Sequence, residues 1–119
     1  MTIGELIGLL FLARDVAHST HLNTRSYARH MALGDFYTGV IPLADSLAEA
    51  YQGRVGLIGK IPLSGVKGSQ DIVKFLESQV EAIAAGRKEI LPEDSAIQNI
   101  IDEIIGLYYG TLYKLKFLA

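Results

Sequence analysis

The chain contains no cysteine, which excludes disulfides, thiolate metal sites and cysteine nucleophiles and leaves the redox compartment open. Neither charge sign dominates. Eleven Lys and Arg stand against 13 Asp and Glu, a net charge of −2, so bulk charge would not hold the protein to nucleic acid. An apolar run of membrane-spanning length is missing too. The nearest approach, MTIGELIGLLFLARD at the start, is interrupted by Glu5 and stops at Arg14-Asp15, far short of the ~20 residues a span needs. That stretch also lacks the basic opening of a signal peptide, and a soluble cytoplasmic protein is the expectation.

What is present is an ordinary globular composition, 50% hydrophobic and 20% charged in 119 residues, enough for one domain over 1–119 with one modest core. The periodicity is helical throughout, and no strand alternation or internal repeat survives inspection. Thr2-Ile-Gly-Glu5 has the form of a capping box and predicts a helix to about His21. Its apolar positions spread well beyond one face, as in a helix buried on two sides, and a second subunit is the simplest cover for the far side. Asn23, Thr24 and Ser26 are cap candidates for a second helix, Tyr27 to Gln52, with Pro42 inside it as an expected kink.

Residues 53–68, GRVGLIGKIPLSGVKG, carry five glycines and a proline and read as a connection. Fully extended, they would span ~50 Å, the length of a bundle. A phosphate-binding loop is excluded, because that motif needs Gly at 54 and Ser or Thr at 61 where the chain has Arg54 and Ile61. Ser69 is the expected cap of a third helix stopping at Gly86, and Pro92 with Ser95-Ala-Ile-Gln98 opens a fourth. Two helices, a long crossover and two more helices describe an all-α, ferritin-like four-helix bundle, with an up-and-down bundle as the alternative.

All three histidines lie within HSTHLNTRSYARH, as His18, His21 and His30. Farther along the second helix, Asp45 and Glu49 form an i,i+4 carboxylate pair. Bundles that bind metal place such groups on inward helical faces. His30 and Asp45 are ~22 Å apart along a continuous helix, so they can share an ion only across an antiparallel two-fold interface between subunits. Imidazole with carboxylate suits Fe, with Mn or Zn as alternatives. Read singly, the histidines are polar residues at a helix junction and the carboxylates a solvated helix face.

From His18 to Glu49 the chain resembles the Dps-type mini-ferritins. Laid on their ligand pattern without gaps, the first histidine falls on His18, the second on His30 and the late Asp-x-x-x-Glu pair on Asp45 and Glu49. The aromatic-rich end, LYYGTLYKLKFLA, is similar to the last helix of that family. Ser19 stands where the family has a signature tryptophan, and Gly34 where it has an aspartate. Asp35 is next door but ~140° around the wheel from His30, while His21 is an additional histidine one turn from His18. The basic DNA-binding tail of many members is missing, so nucleic acid is not an expected partner. The shortness fits a reduced version from a phage or mobile element. The resemblance implies a homo-oligomer built on two-fold interfaces, a dimer or dodecamer, that oxidises ferrous iron with peroxide. The competing reading is a non-catalytic bundle that kept the fold and acts as a structural or protein-interaction module.

Overall fold

The structure, a computed structural model, describes residues 1–66 and 71–119. It is all-helical: α1 (Ile3–Asn23), α2 (Tyr27–Arg54), α3 (Ile72–Gly86) and α4 (Ser95–Phe117), with a short 3-10 turn at Arg87–Glu89. The Thr2/Glu5 capping box is formed in both directions, satisfying two amide groups that the first turn leaves without helical partners. The same contacts hold the Glu5 carboxyl below its ordinary range. Ser26 caps α2 by accepting from the Arg29 amide.

Two caps differ from expectation. Asp71 caps α3, accepting from the amides of Val73 and Lys74; Ser69 lies outside the described residues. Asp94, one residue before the expected start, caps α4. Gln98 does not reach back to that cap. Its amide donates to the carbonyls of Arg87 and Ile90 and its oxygen accepts from Arg87, tying the 3-10 turn to α4. Helix α2 continues through Pro42. Proline removes the donor to the carbonyl four residues earlier, and because Pro42 and Thr38 are both exposed, that carbonyl lies on the wet side.

The ion pairs fix the helix directions. Met1 meets Glu89 and Arg54 meets Asp94 at one end, while Lys114 meets Asp35 and Lys116 meets Glu77 at the other. So α1 and α4 run one way, α2 and α3 the other, in a body 44 × 26 × 21 Å. Residues 58–66 lie against α1. A Cβ on Gly4 would touch the Lys60 carbonyl and Ile58, and one on Gly8 would run into the Pro62 carbonyl oxygen. Ser64 and Val66 border a groove with Ser19 and Asn23 at the far end of the helix. The broad apolar surface of α1 is thus met within the chain, by this segment on one side and by the other helices on the other.

The core is built from Leu6, Leu10 and Ala17 of α1, Leu33, Phe36 and Leu47 of α2, Leu76 and Ile83 of α3, and Ile101, Ile104 and Tyr108 of α4, all with essentially no exposure. One polar chain crosses it. The Tyr108 hydroxyl donates to Gln79 Oε1 at 2.7 Å, and Gln79 Nε2 donates to the Leu9 carbonyl at 3.2 Å. Burial pushes the Tyr108 phenol well above its ordinary value of 10. Tyr108→Phe is expected to cost about 1–2 kcal/mol at neutral pH, since it leaves a buried amide oxygen without its donor. A phenol that ionises only in the unfolded chain withdraws stability as pH rises above about 10. Thermal melts should therefore show the variant's deficit narrowing at alkaline pH.

Candidate functional site

The three histidines meet on the hairpin between α1 and α2, all half-buried. The rings of His21 and His30 stack with centroids 3.7 Å apart and planes 17° from parallel. Each ring also holds the other's backbone. His21 Nδ1 lies 2.6 Å from the His30 carbonyl oxygen, and His30 Nδ1 lies 2.8 Å from that of His21. A carbonyl can only accept, so in the neutral rings both Nδ1 atoms carry the proton and both Nε2 atoms keep a lone pair. The His21 carbonyl belongs to the last turn of α1, whose carbonyls have no helical donor. His30 therefore caps α1 from the opposite helix.

Around this pair runs a ladder of rings. His18 stacks on Tyr37 at 4.1 Å, Tyr37 presents an edge to His21 at 5.2 Å, and Tyr27 extends the stack beyond His30 at 6.4 Å. The Arg14 guanidinium sits over Tyr37, 5.9 Å from its centroid, a cation–π distance. His18 and His21 are 6.1 Å apart by centroid.

Gly34 has a specific place in this arrangement. A Cβ there would lie 3.1 Å from His21 Cε1 and 3.2 Å from Nδ1, tighter than ordinary contact. The position where the mini-ferritin pattern has an aspartate is thus covered by the ring of His21, which needs a bare backbone beside it to reach the His30 carbonyl. His21, secondary in the sequence reading, is central in the structure. Tyr37 was not among the sequence candidates. The signal that could have found it is its spacing, because His30, Gly34 and Tyr37 follow i, i+4, i+7 along one helical face.

Asp45 and Glu49 are both exposed on the later half of α2, about 15 and 19 residues of helix beyond His30 and so ~22 and ~28 Å away. The fold does not bring them to the histidines of the same chain. Among the described residues no group of three or more His, Asp or Glu side chains is placed to hold a metal ion. No helix is long and apolar enough to cross a membrane.

Compared with known proteins, residues 21–115 match the model of a family described as "Family of unknown function (DUF5856)". The chain is also similar to an "Uncharacterized 14.6 kDa protein in mobD-ri intergenic region" of Enterobacteria phage T4. The two are 34% identical over 114 residues, 94% of this chain and 86% of the phage protein. No solved structure matches. With the match covering the histidine pair, Gly34, Tyr37 and most of the four helices, the chain belongs to the DUF5856 family.

Proposed function

We propose that this member of the DUF5856 family is a ferritin-like bundle of the mini-ferritin type that takes ferrous iron as its substrate at a site shared between two subunits. The connectivity supports the fold reading. Helices α2 and α3 run in parallel, and residues 58–66 follow α1 from its first turn toward its last, as a long crossover requires. The similarity to a phage T4 protein supports a phage-related origin for so short a version.

One observation carries the metal reading: the two Nδ1–H groups are fixed on backbone carbonyls. That is how a histidine is oriented when its Nε2 serves as a ligand, the outer hydrogen bond setting tautomer and ring direction. His21 and His30 would supply imidazole nitrogens, with His18 beside them. Asp45 and Glu49 of a second subunit would complete the set with carboxylates, a mixed donor set that suits iron and also Mn or Zn. Iron bound there would be the substrate that is oxidised, with peroxide from solution accepting its electrons. The chain's own groups would hold it, and Tyr37, stacked on His18 and edge-on to His21, keeps the rings in place.

The competing reading, a non-catalytic interaction module, is favoured by Gly34, which offers no carboxylate beside the histidines. The exposed carboxylates separate the two. Asp45→Ala with Glu49→Ala should leave thermal stability within about 0.5 kcal/mol, as for surface changes in general. The same double variant should abolish ferrous oxidation followed at 300–350 nm and lower iron content by metal analysis. Iron uptake and oxidation equal to wild type in that variant would remove the shared site. Absence of both from wild type would leave the module reading.

A further inference from the structure

The outer face of α4 is built from large and small residues in alternation. Tyr109, Tyr113 and Phe117 are 57%, 55% and 73% exposed. Gly106 and Gly110 lie between and before them on the same face, and a Cβ at either would meet nothing within 4 Å. At 100° per residue all five fall within about 60° of one line down the helix. Among the described residues nothing requires this pattern. Glycine is among the weakest helix formers, no described neighbour needs its missing side chain, and the aromatics are exposed. The charges on the same face are divided as well: Asp102 and Glu103 precede the aromatics, and Lys114 and Lys116 flank their end.

We infer that this face pairs antiparallel with the same face of a second copy across a two-fold axis near residues 109 and 110. The pattern is self-complementary under that operation, as an isologous contact must be. Reversing the helix lays Tyr113 of one copy over Gly106 of the other, and the bare backbone of the glycine admits the ring. It also brings Lys116 toward Asp102 and Lys114 toward Glu103 of the second copy, whereas a parallel pairing would set like charges together. In the monomer these charges contact other helices at the rim: Asp102 with Arg87, Lys114 with Asp35 and Lys116 with Glu77. They are exposed or half-exposed there and available to a network. The groove between α3 and α4 beside the aromatics, bordered by Glu77 and Glu81, gives Tyr109 of the second copy a place to lie. This interface uses α4 and is independent of the iron reading, which rests on α1 and α2.

Sedimentation equilibrium over a range of concentrations tests it in the absence of iron. Wild type should self-associate, and Tyr113→Glu should weaken association by about 100-fold or more, as expected for a central aromatic anchor, with its helical circular dichroism unchanged. Because the chain has no cysteine, Gly110→Cys beside the axis should form a disulfide-linked dimer on mild oxidation, while Ser46→Cys, exposed on α2, should not. A monomeric wild type, an association that Tyr113→Glu leaves within about threefold, or Gly110→Cys chains that stay uncrosslinked would each overturn the inference.

Discussion

Gly8→Leu should destabilise the protein by about 3 kcal/mol, at the upper end for overfilling a close contact. It should do so by lifting the segment that crosses α1 rather than by disturbing the helix. A leucine is a better helix former than glycine by close to 1 kcal/mol, so propensity alone would raise stability. The contact opposes it: the first side-chain carbon already collides with the Pro62 carbonyl oxygen and lies 3.7 Å from Ile61 Cγ2. The obstacle is backbone and cannot rotate away. Pro62 must move, and Ile58 and Ile61, both packed against the core, lose contact with it. Two measurements separate this from general damage. Thermal unfolding should fall, and trypsin should cut faster after Lys60 under native conditions, because a lifted segment opens locally before the bundle does. Gly53→Ala is the control. A Cβ there meets nothing within 4 Å, so the change should be neutral or stabilising by up to about 1 kcal/mol and leave the cleavage rate alone. Unaltered proteolysis in Gly8→Leu would contradict the seat described for Pro62.

Phe36→Ala is expected to cost about 4 kcal/mol, in the range for emptying a buried aromatic site. Phe36 has no exposure and meets Tyr108 edge-on, with centroids 5.0 Å apart and planes at 80°, a favourable aromatic geometry. It links α2 to α4 through that ring contact. Losing it leaves a cavity and deprives Tyr108 of the wall that holds its hydroxyl on Gln79. The loss should therefore not add to that of Tyr108→Phe. A double-mutant cycle in urea should show coupling of about 0.5–1.5 kcal/mol. A coupling near zero would mean that the two rings act separately.

Much of the fold could be read from the chain because its devices are local. The Thr2/Glu5 box, the helical periods and the glycine-rich break after Gly53 depend on residues a few positions apart. Helix starts were less legible where several cap-forming residues crowd together. Asp94 precedes Ser95, and it is the Asp94 carboxylate that accepts from the Ile97 amide, a choice that composition does not encode. The seat of Pro62 on Gly8 joins positions 54 residues apart, and no periodicity reports such a contact. Gly34 shows the limit for the candidate site. In a comparison of ligand patterns it reads as a missing carboxylate, whereas in space it is the clearance for a ring thirteen residues earlier. His18, His21 and His30 were legible as a group because they are close in sequence. Their pairing was not, since it depends on the turn at Thr24–Ser26, where Thr24 Oγ1 accepts from the Ser26 amide.

The directions of the helices also give the molecule a mechanical character. Met1 is anchored by Glu89 at one end of the long axis, and α4 finishes at the other, beside Glu77 and Asp35. A force applied through the two termini would load α1 and α4 lengthwise. Their packed faces would slide past their neighbours together instead of peeling open one contact at a time. The bundle is therefore arranged to resist traction along the chain in shear, the direction in which many side chains yield at once.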